Sequence, residues 1–125
     1  MKSIFFLFLL TTLAAVNLAS NYPATGEVTC TATSCDFSVK IIGETKEFKG
    51  TSGSFGSGRS SLSGVLSAIS VSNMYENTTN FNYDLEPFVA SIAFIDGTGN
   101  KLGGFAGNKD NPSLNGTGNG NGKWG

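Results

Sequence analysis

Histidine is absent from this chain of 125 residues, and positively charged residues are few. Without histidine, neither a serine–histidine nor a cysteine–histidine nucleophile pair can form. The eight Lys and Arg residues form no basic block, which argues against nucleic acid as a partner. The longest apolar run is also shorter than the roughly 20 residues that a membrane-spanning helix needs. The composition therefore points away from triad hydrolases, nucleic-acid-binding proteins and helical membrane proteins.

The N-terminal segment has the pattern of a secretory signal peptide. Lys2 is a lone cationic residue, residues 4–10 are almost wholly apolar, and the small residues Ala19 and Ser20 follow. This succession of charged, apolar and small residues is typical of a leader that is removed on secretion. We therefore predict a signal peptide over residues 1–19, a single domain over residues 20–125, and a secreted, extracellular protein.

Cys30 and Cys35 are the two cysteines of the chain. In a secreted protein, a structural disulfide between them is the default interpretation. A redox pair or a metal site is the functional alternative, but no third cysteine and no histidine is available to complete a metal site. We therefore predict a disulfide that fixes the entrance of the domain.

Most of the mature chain has the pattern of β-strands. Residues 37–41 and 81–85 alternate apolar and polar side chains, and Leu62 begins a third stretch with this alternation. Residues 88–95 are apolar on both faces, which predicts a strand buried on both sides. The turn residues at 96–100 then connect this strand to residues 101–105 as a hairpin.

Only one helix is predicted, over residues 70–78. Val71, Met74, Tyr75 and Thr78 follow the helical spacing, and Ser70 or Ser72 can cap the start. Such a short helix is not stable in isolation, so packing over one barrel or sandwich opening must hold it.

Two further patterns bear on the architecture. Residues 38–53 and 91–107 form a weak internal repeat of strand, hairpin and strand, which suggests a pseudo-symmetric barrel or sandwich. Residues 115–125 are mostly Asn and Gly around Trp124, a composition typical of a flexible tail. The tryptophan argues instead that this segment is ordered, and we predict a paired strand with Trp124 at least partly buried.

No cofactor-binding, metal-binding or catalytic motif is complete. Asp96, Thr98 and Asn100 have calcium-loop spacing, but Lys101 replaces the required glycine and Gly107 the required glutamate. The sequence of residues 96–99 also departs from an aspartic-protease motif by one residue and offers one carboxylate where two are needed. The glycine-rich residues 50–58 lack the Lys-Ser/Thr of a phosphate-binding loop. We therefore predict a hairpin at residues 96–100, a turn or barrel corner at residues 50–58, and neither a metal nor a cofactor.

The remaining candidates are surface positions. Glu44 and Glu47 are the acidic pair considered for glycoside hydrolysis, and a solvated polar turn is the ordinary explanation for them. Asn77 and Asn115 each begin an Asn-X-Thr sequon, which predicts surface glycans if the chain passes through a eukaryotic secretory route.

From Glu44 to Trp124, the order of short motifs resembles the virulence-associated protein (Vap) family. No single motif is specific, and the likeness rests on their order and spacing. The motifs are Lys-Glu-Phe-Lys-Gly at 46–50, Leu-Ser-Gly-Val-Leu at 62–66, Met-Tyr-Glu-Asn-Thr at 74–78, Phe-Asn-Tyr at 81–83, the run at 88–96, Gly-Asn-Lys-Leu-Gly at 99–103, and Gly-Asn-Gly-Lys-Trp at 120–124.

The resemblance implies an all-β fold with one short helix: a compact antiparallel barrel of about eight strands closed by the terminal glycine-rich strand. Residues 28–36 depart from the family, because they are too short for the helix that members carry between the first two strands. The family has no established active site, so no catalytic residue carries over and we expect no enzymatic activity.

Two functions are compatible with these observations. The first is a secreted virulence-associated effector that interacts with an unknown protein or membrane component of a host or cell surface. The second is an extracellular structural or adhesive coat protein without a virulence role. A small hydrolase on a β-scaffold is a third and weaker hypothesis, which a pocket with converging carboxylates would support.

Overall fold

A computed structural model describes residues 18–125, so the predicted signal peptide lies almost wholly outside the described residues. The described chain forms eight strands and one helix. In chain order these are β1 (Ser20–Cys30), β2 (Ser34–Ile41), β3 (Glu47–Gly53), β4 (Gly58–Ala68), α1 (Val71–Asn77), β5 (Thr78–Leu85), β6 (Val89–Asp96), β7 (Lys101–Lys109) and β8 (Gly116–Trp124).

The eight strands close into an antiparallel barrel in the order β1-β2-β3-β8-β5-β6-β7-β4. The meanders β1-β2-β3 and β5-β6-β7 occupy opposite sides of the ring. The chain has two halves, β1–β4 and β5–β8, and the last strand of each half joins the two meanders. Strand β4 pairs with β1 and β7, and strand β8 pairs with β3 and β5. This exchange gives the pseudo-symmetry that the internal repeat predicted, and it leaves no strand edge unpaired among the described residues.

Aromatic rings fill the interior of the barrel. Phe37, Phe48 and Phe81 are almost fully buried, and their ring centroids lie 4.8 to 5.4 Å apart in successive pairs. Phe94 joins them, with its centroid 4.9 Å from that of Phe48. Edge-to-face pairs at these distances stabilise by more than their buried area alone. The core is therefore a packed cluster of aromatic rings in edge-to-face contact.

Strand β8 is built to accommodate these rings. Its glycines at alternate positions from 116 to 122 face inward, where a Cβ atom would collide with neighbouring rings. At Gly118, for example, a Cβ atom would lie 2.7 Å from the Tyr83 hydroxyl oxygen. Trp124 ends the strand with 6% of its surface exposed. The predicted terminal strand and the predicted burial of the tryptophan are both confirmed.

Helix α1 closes one end of the barrel, as predicted from the spacing of its apolar residues. The Ser70 hydroxyl accepts a hydrogen bond from the Asn73 backbone N–H at 3.1 Å, which caps the first turn. Met74 is fully buried, and the Tyr75 ring lies 5.0 Å from that of Trp124. The helix thus covers the last residue of the closing strand.

The opposite end carries the disulfide. Cys30 and Cys35 face each other across the β1–β2 hairpin and are bonded, as predicted. The hairpin replaces the helix that the family resemblance would have placed there. The nearby Ser54 hydroxyl donates to the Thr31 carbonyl oxygen at 2.6 Å, tying the β3–β4 loop to the disulfide turn.

The prediction that residues 88–95 are buried on both faces is wrong. Ala90, Ile92 and Phe94 point into the core, but Val89 is 49% exposed and Phe88, which precedes β6, is 69% exposed. A closed barrel offers each strand one interior face only. The second apolar row of β6 therefore lies on the outer wall.

Candidate functional site

The segments with partial metal-binding or catalytic motifs have structural roles. Asp96 begins the β6–β7 hairpin, and one of its carboxylate oxygens accepts bonds from the backbone N–H groups of Thr98 and Asn100, each at 2.9 Å. The Thr98 hydroxyl also donates to it, and this bond is the main reason that the pKa of Asp96 is lowered. The carboxylate is thus used to form the turn. In the glycine-rich segment, residues 50–53 belong to β3, and Gly58 at the start of β4 has a φ angle of 135°, a conformation that favours glycine.

The acidic residues Glu44 and Glu47 do not converge on a pocket. Glu47 pairs with Lys49 at 3.7 Å on the exposed face of β3. Glu44 accepts a hydrogen bond from the Tyr75 hydroxyl at 3.4 Å. The pKa of Tyr75 is raised, mainly by burial and secondly by the charge of this carboxylate. Among residues 18–125, no group of three His, Cys, Asp or Glu side chains is arranged to hold a metal ion.

The sequon residues Asn77 and Asn115 are both exposed, the first at the end of α1 and the second just before β8. Their side-chain amides donate to the Asn73 side-chain oxygen and the Pro112 carbonyl oxygen respectively. Glycosylation of these two residues stays a prediction.

A buried lysine at the disulfide end was not anticipated from the sequence. Lys109 is the last residue of β7, is 4% exposed, and donates from Nζ to the carbonyl oxygen of Asn111. Burial lowers the pKa of this lysine, and the neighbouring carboxylate of Asp110 partly opposes the shift. The lysine serves to hold the β7–β8 loop against the barrel.

A groove of about 480 Å³ lies on the outer wall, along β7 between β4 and β6. Two rungs of paired residues cross it. One rung is Val65, Ala106 and Ser91, and the other is Ser67, Gly104 and Ala93. In each rung the β7 residue is Ala or Gly, so no side chain larger than a methyl group rises from the middle strand there. We refer to this feature as the β7 groove.

Lys101 lies at one end of the β7 groove and is the one charged residue among those that line it. The pairing of β6 with β7 shifts register here, since Phe94 pairs with Gly103 while Ile95 pairs with Lys101. Leu102 is the extra residue and packs against the core. Such a bulge redirects neighbouring side chains. The stem of Lys101 lies over Gly104, where a Cβ atom would be 3.2 Å from Lys101 Cε.

Sequence reasoning did not identify the β7 groove, because its residues come from three strands that are distant in the chain. One signal was available: a strand that is apolar on both faces within a barrel must expose one of them.

In the described part of the chain, no helix is long and apolar enough to cross a bilayer.

These observations define a class: small closed antiparallel barrels with a filled aromatic interior and one capping helix. The chain belongs to the Rhodococcus equi virulence-associated protein family, whose family model matches residues 8–125. The family resemblance seen in the motif order is thereby confirmed. No curated protein matches the chain in a sequence comparison.

Two solved structures show the same fold. The virulence-associated protein VapD from the intracellular pathogen Rhodococcus equi superposes with a TM-score of 0.81 at 24% identity, covering 87% of this chain and 100% of VapD. VapB from the same organism gives 0.79 at 26% identity, covering 86% of this chain and 98% of VapB. The predicted eight-stranded antiparallel barrel with one short helix is therefore confirmed.

Proposed function

We propose that this Vap-family protein is secreted and acts without catalysis, by binding a protein or membrane component of a host cell or another cell surface through its outer wall. The single observation that carries the proposal is the division of the barrel into a packed interior and an outer wall with an apolar groove. Aromatic rings occupy the space in which other barrels hold ligands. Binding on the outer wall is then the activity that this geometry supports best.

The β7 groove supports this proposal because it combines exposed apolar side chains with small ones. Val65 is 44% exposed on one wall, and Val89 extends the apolar surface along β6. Exposed apolar patches rimmed by polar residues commonly mark interaction sites on soluble proteins. The structurally similar VapD comes from an intracellular pathogen, which supports a host cell as the target.

The test is binding of the fluorescently labelled, purified protein to mammalian phagocytes, with two variants that each add one negative charge. Ala106→Asp places the charge on the floor of the β7 groove, and Asn119→Asp places it on the exposed face of β8. We expect the first to weaken binding about tenfold, the effect of losing one central contact, and the second to leave it unchanged. Equal binding by both variants, or no binding by the unmodified protein, would contradict the proposal.

The coat-protein alternative is favoured by the polar wall on the other side of the barrel. There the exposed amide of Asn80 on β5 donates to Asn121 on β8 at 2.8 Å, and Thr51 donates to Asp36 at 3.0 Å. An extended, hydrogen-bonded polar surface suits adhesion to like surfaces. Fractionation of a producing culture separates the two functions. A coat protein stays on the producing cells, whereas a secreted effector is recovered from the medium.

A further inference from the structure

We infer that the β7 groove is a binding site for a single free fatty acid, with its hydrocarbon chain on the floor of β7 and its carboxylate on the ammonium group of Lys101. The inference deepens the proposed function and rests on its premise that the outer wall is the binding surface. It adds the chemical class of ligand and the residue that orients it.

The width of the groove fits one hydrocarbon chain. Its walls are β4 and β6, which flank β7, so their backbones are separated by two strand spacings, or roughly 9.6 Å. Side chains such as Val65 and Ala93 narrow this gap further. The two acyl chains of a phospholipid would need to lie side by side, for which the single-strand floor is too narrow. Its volume is within the range of sites for small ligands.

The floor is flat because of its residues. Gly104 and Ala106 are the outward-facing residues of β7 at the two rungs, and neither rises above the strand. The stem and ammonium group of Lys101 lie over Gly104, so the carboxylate end of the ligand belongs at this rung and the hydrocarbon chain at Ala106. A larger residue at Ala106 would interrupt the path of the chain. The groove thus offers van der Waals contact along its length, which suits an unbranched chain.

The charge of the groove selects the head group. Lys101 is the one charged lining residue, and no carboxylate is among the lining residues to oppose an anion. Neither of the ion pairs found within residues 18–125 involves Lys101, so its ammonium group is available to a ligand. The bulge at Leu102 and the absence of a side chain at Gly104 together hold the lysine stem along the groove. A monoanionic carboxylate is the matching group.

The experiment measures binding of palmitate below its micelle concentration to the purified protein by calorimetry, with methyl palmitate as the uncharged ligand of the same chain. We expect one palmitate per protein and about tenfold weaker binding of the ester, as for loss of one charge-assisted hydrogen bond. Lys101→Gln should lower the affinity for palmitate to that for the ester. The matched control Lys40→Gln, on the exposed face of β2, should bind palmitate as the unmodified protein does.

Amide chemical shifts locate the ligand. We expect palmitate to shift the signals of Gly104, Ala106 and Ala93. We expect Gly104→Val to abolish binding, because the new side chain would displace Lys101 from its place over the floor. If that variant does not fold, the comparison of palmitate with its ester decides the question. Equal affinity for both ligands, shifts elsewhere on the barrel, or binding only to phosphatidylcholine vesicles containing phosphatidic acid would each overturn the inference.

The phagocyte assay distinguishes failure of this inference from failure of the proposed function. Binding to cells without binding of palmitate would overturn the fatty-acid site alone. Binding of palmitate without binding to cells would overturn the proposed surface interaction and support the site described here.

Discussion

At the scale of single residues, the closing strand β8 depends on glycines because they have no side chain. Phe48 and Phe81 need the space in front of β8, and any side chain there would occupy it. Substituting a glycine with a larger residue in a filled interior forces rings out of their rotamers or moves the backbone, at a cost of about 1 to 3 kcal/mol. The glycine-rich composition that resembles a flexible tail is therefore a packing requirement.

Gly122→Ala should lower the free energy of unfolding by about 1 to 3 kcal/mol. A Cβ atom at this position would lie 2.4 Å from Phe48 Cζ and 2.7 Å from the Cα of Gly50, and the latter belongs to rigid backbone. The control is Gly53→Ala on β3, where nothing lies within 4 Å of the new Cβ atom. Urea denaturation measures both variants. Equal stability of the two would show that β8 can relax away from the core.

A second residue-scale prediction concerns Asp110. Its carboxylate accepts a bond from the Ser61 backbone N–H at 2.8 Å, which is the main cause of its lowered pKa, and another from the Ser60 hydroxyl. Because the pKa is lower in the folded state, the carboxylate stabilises the protein above its unfolded pKa of about 3.8. That contribution is lost as the pH falls through the lowered, folded-state value.

Asp110→Asn should therefore be less stable than the unmodified protein at pH 7, and the difference should shrink as the pH falls below about 4. Thermal unfolding of both proteins across this pH range is the measurement. A difference in melting temperature that is the same at every pH would show that the charge of Asp110 does not contribute.

At the scale of elements, alternation in the sequence predicted the strands that have large inward residues and missed β1. Three of the five inward positions of β1 hold the small residues Ala24, Gly26 and Cys30, so apolar alternation is weak. Strand β1 is defined instead by its pairing with β2 and β4, and the residues that pair with it lie elsewhere in the chain. The burial of β6 was overestimated for the related reason that a local pattern does not indicate which apolar row faces solvent.

The β7 groove shows the same limit for the candidate site. Its rungs join residues from β4, β6 and β7 through register alone, and the outward direction of Lys101 depends on a bulge opposite Ile95. The sequence contains these residues without any motif that connects them. The absence of a histidine-dependent active site, in contrast, followed directly from composition.

The disulfide of the β1–β2 hairpin supplies a prediction at this scale. Cys30 and Cys35 close a loop with a sequence separation of only 5, so the chain-entropy model gives a stabilisation of about 2 kcal/mol. Reduction and alkylation should add two alkyl groups to the intact mass and lower the melting temperature while the barrel stays folded. Alkylation without reductant is the control. Incorporation of alkyl groups in that control would mean that the thiols are free.

At the scale of the whole molecule, closure depends on the exchange of last strands between the two halves. Strand β8 pairs with β3 through five residue pairs and with β5 through six. Trp124 packs on Phe48, Phe94 and Tyr75, with ring centroids 5.0 to 5.7 Å apart. Without β8, the facing edges of β3 and β5 would be unpaired and the aromatic core would open to water.

Deleting residues 115–125 should therefore abolish cooperative unfolding. Ordering a glycine-rich strand costs more backbone entropy than ordering other residues, and burial of Trp124 recovers about 3 to 5 kcal/mol of that cost, with cross-strand hydrogen bonds adding the remainder. Because the gap left by the deletion has the shape of one strand, a synthetic peptide of residues 115–125 should restore a cooperative thermal transition by strand addition. The control is a peptide of the same composition in which the glycines no longer alternate, since its side chains would collide with Phe48 and Phe81. An unchanged melting temperature after the deletion would contradict the role of β8 in closing the barrel, as would equal rescue by the two peptides.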